Sequence, residues 1–167
     1  DAEELLLGAG FNKPLTLAHW RTLGMLVGCG SLSTLETLVI EIFTDDNGDD
    51  EGVVSLADGL RRGRLPSLRL LTLGNARIGP QGATALASAL TKQAVPSLWR
   101  LFLADNQIGD AGLTALAPAL RQLPKLKILR LFKNQITDQG LASLLAPPTT
   151  GVLPSLLRLN LINNQIT

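Results

Sequence analysis

Few side chains in this sequence could carry out catalytic chemistry. His19 is the single histidine and Cys29 the single cysteine. The sequence contains no nucleophile-elbow motif, phosphate-binding loop, dinucleotide-binding loop or metal-spaced Cys/His set. A general base or nucleophile would therefore lack the partners that activate it. We interpret His19 as a helix-surface or end-cap residue and Cys29 as an inert, partly buried thiol, and we predict a non-enzymatic protein without a cofactor or a metal.

An acidic loop, residues Asp45–Glu51, raises the alternative of calcium binding. Asp45, Asn47 and Asp49 have the 1, 3, 5 spacing of an EF-hand loop. The sixth position is Asp50 rather than Gly, and the twelfth is Leu56 rather than Glu. We favour a solvated acidic insertion, and leave calcium binding as the alternative.

The composition indicates a protein from a reducing, intracellular compartment. A single cysteine excludes an internal disulfide, and no Asn-x-Ser/Thr sequon is present. No apolar run approaches the ~20 residues of a membrane span. We predict a cytoplasmic or organelle-interior protein without a transmembrane segment.

One short pattern recurs along the chain with apolar residues at positions 1, 4, 6 and 11 and an asparagine at position 9. The segments Leu98–Ile108, Leu126–Ile136 and Leu156–Ile166 match it fully, and Leu68–Ile78 departs only by having Ala76 at position 9. Neither a helix nor a plain strand produces this spacing. It is the signature of a leucine-rich repeat.

The chain therefore resembles the leucine-rich repeat superfamily, well over 35–167 and loosely over 1–34. Repeats of 28–30 residues with a strand and a full helix resemble the ribonuclease-inhibitor-like subclass. This resemblance implies an α/β solenoid, with a curved parallel sheet on the concave side and helices on the convex side. We predict an atypical N-terminal repeat or cap over 1–34, with Leu5–Leu7 as a degenerate first strand. We also predict that the chain is a segment of a longer solenoid, with strands near 35–40, 68–73, 98–103, 126–131 and 156–161.

Two further patterns predict the turns of each repeat. Asn106, Asn134 and Asn164 lie where the chain leaves a strand, so we expect their amides to pair with unsatisfied backbone groups. Ala76 lacks that amide, which predicts a weaker third repeat unless Asn75 compensates. The helices after each turn are expected to have their N-caps at Gly79, Gly109 and Thr137, and a first helix is expected after Pro14.

The strand positions that do not serve the core form the candidate binding site. The solenoid implies that positions 2, 3, 5, 7 and 8 face the concave side. Aromatic side chains surrounded by cations are typical of protein-binding hot spots. We predict that the partner-binding residues are Trp99, Arg100, Phe102, Asp105, Lys127, Arg130, Phe132, Lys133, Arg158 and Ile162.

The charge distribution predicts the chemistry of the partner. Residues 1–60 contain 11 acidic and two basic side chains, and residues 61–167 contain three acidic and 13 basic ones. The net charge of +1 therefore hides an acidic first part and a basic later part. Such a field orients a partner of complementary charge. Without a nucleic-acid motif, an acidic protein surface is the better candidate.

We favour a protein-interaction scaffold, or a subunit of a large complex, that binds through its concave face. Two alternatives remain open at this point. One is the sensing or autoinhibitory repeat domain of a nucleotide-binding receptor. The other is a GTPase-activating protein of the type that acts on Ran, for which no catalytic residue is matched here.

Overall fold

The computed structural model describes residues 3–7, 15–41, 50–146, 153 and 155–167. Strands and helices alternate along the chain. The strands are β1 (Glu4–Leu7), β2 (Thr37–Glu41), β3 (Leu70–Gly74), β4 (Arg100–Phe102), β5 (Ile128–Arg130) and β6 (Arg158–Asn160). The helices are α1 (Leu17–Gly28), α2 (Glu51–Arg62), α3 (Pro80–Ala89), α4 (Gly109–Gln122) and α5 (Asp138–Leu145).

The six strands form one parallel sheet in chain order, and consecutive helices pack on one another. Strands repeat every ~4.8 Å, whereas packed helices need ~8–10 Å. The helical layer is therefore the wider one and the sheet lies on the inner side of the arc. The predicted α/β leucine-rich repeat solenoid is confirmed.

Each strand begins about two residues later than the repeat pattern predicts. The leucine at position 1 is buried, but it closes a turn instead of opening the strand. Leu98, for example, donates its backbone N–H to the carbonyl of Val95 over 3.1 Å. That turn follows from the proline at position −2, since Pro96 cannot continue a helix or a ladder.

The core lies between the sheet and the helices, and alternate strand residues point into it. Leu101 and Leu103 are fully buried, while Phe102 between them lies on the opposite face of the sheet. The isoleucine at position 11, such as Ile108, is also fully buried and fastens the turn to the helix layer. Period-two alternation thus separates the architectural leucines from the concave side chains.

The N-terminal elements form a strand–helix pair that continues the stack. The predicted strand at Leu5–Leu7 lies within β1, which pairs with β2. Helix α1 begins at Leu17 with Thr16 as its N-cap, later than expected, and Pro14 lies outside the described residues. Later in the chain, Thr137 is the N-cap of α5 as predicted, whereas α4 already includes Gly109 and has its N-cap one residue earlier.

The side chain of the asparagine at position 9 connects neighbouring repeats through three to five hydrogen bonds. Asn106 is buried, and its Oδ1 accepts from Ala76 N over 2.9 Å and from Ile78 N over 3.0 Å. Its Nδ2 donates to Leu73 O over 2.8 Å and to Leu103 O over 3.1 Å. One amide therefore pairs with backbone groups of its own repeat and of the repeat before it.

Asn134 and Asn164 repeat this arrangement. Asn134 Nδ2 donates to Leu103 O over 2.7 Å, and Asn164 Nδ2 donates to Leu131 O over 2.9 Å. Asn164 Oδ1 accepts from Asn134 N and Ile136 N over 2.9 and 3.0 Å. All three side-chain amides thus bond to backbone groups at the ends of the strands.

The direction of these bonds changes the expected consequence of Ala76. Each amide makes hydrogen bonds with the preceding repeat. An asparagine at position 76 would therefore bond to backbone groups at the end of β2, whereas the backbone of the third repeat already bonds to Asn106. The loss therefore concerns the connection between the second and third repeats. Asn75 lies in the left-handed region (φ 52°), and its N–H bonds to Ala104 O, on the side of the fourth repeat.

A second row of side chains joins the repeats at the helix N-termini. An aspartate carboxylate accepts hydrogen bonds from the first residues of the next repeat's helix start. The pairs are Asp50 with Gly79, Asp110 with Thr137, and Asp138 with Thr167. Asp110 accepts from both the N–H and the hydroxyl of Thr137, over 2.8 and 2.7 Å. Pro80 occupies the equivalent place in α3 and cannot accept such a bond.

We expect Asn134→Ala to lower the free energy of unfolding by about 1–3 kcal/mol, because buried backbone groups of two repeats lose their partners. Urea denaturation measures this change. Gln107→Ala, at an exposed turn position, is the matched control and should stay within about 0.5 kcal/mol of the parent. An unchanged midpoint for Asn134→Ala would show that water replaces the amide without cost.

Asp110 predicts a pH-dependent part of the stability. The hydrogen bonds from the Thr137 hydroxyl and then its N–H lower the pKa of Asp110, and the N–H of Gly140 acts in the same direction. A carboxylate with a lowered folded-state pKa stabilises the fold above its unfolded pKa of about 3.9, and this contribution disappears as the pH falls through the folded-state value.

Asp110→Asn should therefore destabilise the protein at neutral pH, and its difference from the parent should shrink as the pH is lowered from neutral through the folded-state pKa of Asp110. Thermal unfolding of both proteins across this pH range measures the difference. Thr137→Val removes the hydroxyl donor and should lose the same pH-dependent part, together with a pH-independent part from the hydrogen bond that the hydroxyl accepts from the Gln139 N–H. A constant difference at every pH would contradict the role given to the carboxylate.

Candidate protein-binding face

The concave side chains of β3, β4 and β5 lie in register across the sheet. Phe102 pairs with Thr72 on one side and with Arg130 on the other, and Arg100 pairs with Leu70 and Ile128. Parallel pairing therefore places an aromatic ring beside a guanidinium on the next strand. These are the columns that the repeat pattern predicts.

Two arginines stack on aromatic rings of this face. The guanidinium carbon of Arg100 lies 4.1 Å from the ring centre of Trp99, and that of Arg130 lies 4.2 Å from the ring centre of Phe102. Lys127 Nζ approaches Trp99 from the next repeat at 5.9 Å. A cation over an aromatic face is held by the ring quadrupole without losing its charge.

A third aromatic–cation group lies at the carboxyl ends of β4 and β5. Lys133 Nζ is 5.8 Å from the ring centre of Phe132 and 2.9 Å from the carboxylate of Asp105. Asp105 and Lys133 both have a left-handed backbone, with φ of 54° and 51°. Aspartate adopts this conformation readily and lysine less so. The turn at position 8 therefore orients the Lys133 side chain at a cost in backbone conformational energy.

Four cations of the face have no carboxylate partner among the described residues. Of the cations on the face, Arg69 pairs with Glu36 and Lys133 pairs with Asp105. The cations without one are Arg100, Lys127, Arg130 and Arg158. In addition, Arg100 Nε is buried and has no hydrogen-bond partner. The face therefore has positive charge that is not neutralised internally.

A recess of about 230 Å³ opens between the aromatic rings at the carboxyl end of β3, β4 and β5. Phe102 and Phe132 form part of its wall, and Gly74 lies along it. Its lining is Glu41, Thr72, Gly74, Asn75, Phe102, Ala104, Asp105, Arg130 and Phe132. Four predicted site residues thus meet in one cavity.

Four of the other predicted residues line two further openings, and Arg100 and Lys133 lie beside them. Trp99 and Lys127 meet Arg69 and Pro124 at the amino ends of the strands. Arg158 and Ile162 lie around an opening on the β6 side, which they share with Arg130. The ten predicted residues thus form one continuous face with three depressions instead of a single pocket.

Cations partly cover the aromatic residues of this face. Trp99, Phe102 and Phe132 are half-buried, and each has a cation beside or over its ring. Ile162 is exposed, at 66%. The repeat pattern places these side chains on the concave face but does not show which neighbours cover them.

Sequence reasoning placed Glu41, Thr72, Gly74, Asn75 and Ala104 on the concave columns but did not include them in the site. They are polar or small, and so they lack the hot-spot composition that marks a binding residue. Only their position in the repeat indicated a place in the site, because they occupy the same strand positions as Phe102 and Phe132 or neighbouring ones. Register therefore identifies the recess better than residue type does.

His19 and Cys29 both lie in α1 or at its end, far along the stack from the concave cations. His19 Nδ1 accepts the backbone N–H of Thr16 over 3.0 Å, as an end-cap residue does. Cys29 is exposed and not partly buried as expected, and the hydrogen bond with the Ser31 hydroxyl lowers the pKa of its thiol. Neither contacts a residue of the concave face.

The proposed calcium loop falls mainly on residues outside the described part of the chain. Of Asp45–Glu51, the structure describes Asp50 and Glu51, and Asp50 bonds to Gly79. Within the described residues there is no group of three or more His, Cys, Asp or Glu side chains able to hold a metal ion. The helices of that same part of the chain include none with the length and apolar character needed to cross a bilayer.

Comparisons with known proteins agree with the repeat architecture. The sequence model of the family described as "Leucine Rich repeat" matches residues 96–117 and 122–145. No protein with a curated description matches the sequence. Among solved structures, one titled "Leiomodin-1 Actin-Binding Site 2 (ABS2)" is similar, with a TM-score of 0.53 and 24% identity. The match covers 68% of this chain and 61% of that chain.

The stacked cations should contribute little to folding, which makes them suitable for binding experiments. An exposed cation–aromatic pair contributes about 0.5–1 kcal/mol. We therefore expect Arg130→Gln to lower the free energy of unfolding by about 1 kcal/mol or less, as measured by urea denaturation. A loss above about 2 kcal/mol would show that Arg130 is chiefly a structural residue.

Proposed function

Because this chain is a leucine-rich repeat solenoid in its fold, we propose that it is a non-enzymatic interaction scaffold whose concave face binds an acidic surface of another protein. The observation that carries this proposal is the set of concave cations without carboxylate partners. Arg100 and Arg130 are held against aromatic rings instead of opposite acids.

The stacking favours binding in two ways. It orders the guanidinium before the partner arrives, so less side-chain entropy is lost on binding. It also leaves the terminal Nη–H donors of each guanidinium free for a carboxylate, which arginine binds through two parallel hydrogen bonds. Half-buried aromatic rings beside these donors add apolar contact, as in the central part of protein interfaces.

The acidic residues on the same side of the sheet favour a protein partner over a nucleic acid. Glu4 and Glu41 lie on β1 and β2, and Glu36 lies just before β2. A phosphate backbone crossing all six strands would be repelled there. A protein surface can instead present acidic groups to β4–β6 and other chemistry to β1 and β2.

Two finer assignments accompany this proposal. Repeats that contain helices of 8–14 residues support the ribonuclease-inhibitor-like subclass, because shorter repeat types lack room for a full helix. We also propose that the protein is intracellular, and that its concave face binds a partner that is either soluble or bound to a membrane. The single cysteine supports the intracellular location.

An acidic peptide tests the charge part of the proposal. A fluorescein-labelled peptide of alternating glutamate and leucine should bind the protein, and its affinity should fall with added salt. Arg100→Gln with Arg130→Gln should weaken binding about tenfold or more, as two charge-assisted contacts are lost. Fluorescence anisotropy measures both effects.

Arg61→Gln with Arg62→Gln is the matched control, because it removes the same charge from the end of α2 on the helical side. Equal weakening by both pairs would show that the peptide responds only to net charge. That result would contradict a specific concave site.

A second experiment tests the role of the aromatic residues with the partner captured from cells. The chain, used as bait, should lose its captured partner when Phe102→Ala and Phe132→Ala are combined. Cross-linking followed by mass spectrometry should place that partner on peptides that contain β4 and β5. Retained capture, or cross-links confined to the helices, would contradict the concave-face proposal.

A further inference from the structure

The recess between β3 and β5 has features that the general binding proposal does not explain. Its walls include the rings of Phe102 and Phe132, whereas Gly74 and Ala104 contribute almost no side chain. At the equivalent position 7 of neighbouring repeats the chain has Glu41, Phe132 and Ile162. A local loss of side-chain volume on two adjacent strands therefore creates the cavity.

The backbone at Gly74 does not require glycine. A Cβ built there would lie 3.5 Å from Glu41 Cγ and 3.9 Å from the carbonyl oxygen of Ala104, which are ordinary contact distances. The position would thus tolerate a side chain, and a larger one would extend into the recess. The empty volume is a consequence of residue choice and not of backbone strain.

Opposite charges lie on the two sides of this recess. Glu41 belongs to β2 and Arg130 to β5, and both line the cavity. Strand spacing places their backbones about 14 Å apart, and the two side chains form no ion pair. Glu41 is half-buried, and its side chain makes no hydrogen bond or ion pair within the described part of the chain. Arg130 makes a ring contact but no carboxylate contact there.

The charges beyond the recess continue the same division. Glu4, and Glu36 in its ion pair with Arg69, lie on the β1–β2 side, and Arg100, Lys127 and Arg158 lie on the β4–β6 side without carboxylate partners. A segment that crosses the strands therefore meets acidic groups first, then apolar rings, and then cations. A uniformly acidic segment would be favoured at one end and opposed at the other.

We propose that the recess receives one bulky apolar side chain of a partner segment, with Glu41 binding a basic residue on one side of it and Arg130 an acidic residue on the other. The segment lies across the strands in a single orientation. This inference rests on the proposed concave binding function and adds the order of chemistry that the site selects.

Three synthetic peptides test the proposal by titration, followed through the backbone amide resonances of the 15N-labelled protein. The first has two lysines, a central leucine and two glutamates in that order, separated by glycine or serine. The second has serine in place of the leucine. The third has the leucine with glutamates on both sides.

The first peptide should bind about tenfold tighter than the second, since a buried leucine contributes that much. It should also bind tighter than the third, and the Gly74 and Ala104 amides should shift. Gly74→Leu or Ala104→Leu, either of which fills the recess, should remove the advantage of leucine over serine. Glu41→Gln should remove the advantage of the first peptide over the third.

Ala111→Leu is the control, because it adds the same side chain at an exposed position of α4 on the helical side. It should leave all three affinities unchanged. The amide spectrum of each variant establishes that it is folded.

Equal binding of the leucine and serine peptides, or a leucine advantage that survives in both filled variants, would overturn the recess inference. The concave proposal would then still stand if the third peptide depends on Arg100 and Arg130. Failure of all three peptides to bind would overturn the inference and the proposed function together.

Discussion

The structure depends on how parallel repeats satisfy the backbone where each strand ends. A parallel stack can pair strand with strand through the ladder, but the turns that lead to the helices leave buried N–H and C=O groups without such partners. Asn106, Asn134 and Asn164 supply them, each reaching its own repeat and the preceding one. Because the bonds run from repeat to repeat, they align the stack as well as satisfy it.

That alignment has a direct consequence for the concave face. When consecutive turns are in register, equivalent strand positions are in register too, and side chains of different repeats become neighbours. Arg130 lies over Phe102, and Lys133 reaches Asp105, only because each pair occupies adjacent strands. The binding surface is therefore formed between repeats, by residues that are 28 positions apart in the chain.

Within one strand, the buried residues and the outward-facing residues have different roles. In the segment from Leu98 to Ile108, the leucines are buried, while Arg100 and Phe102 face outward. The architectural residues can stay the same from repeat to repeat while the outward ones vary. A solenoid can thus acquire a new binding surface without altering its core. Small residues such as Gly74 contribute to that surface as well, by leaving space.

The repeat pattern alone predicts the solenoid, the strand columns and a structural role for the asparagines, because a repeat of fixed period places the same residue type in the same environment each time. It could not determine that Phe102 and Phe132 are half-covered by cations, that Gly74 and Ala104 open a recess, or that the Asp110 carboxylate joins two helix starts. These features arise from side-chain directions and distances between neighbouring repeats. Only the tertiary structure decides them, since a linear pattern shows which residues share a face but not which of them touch.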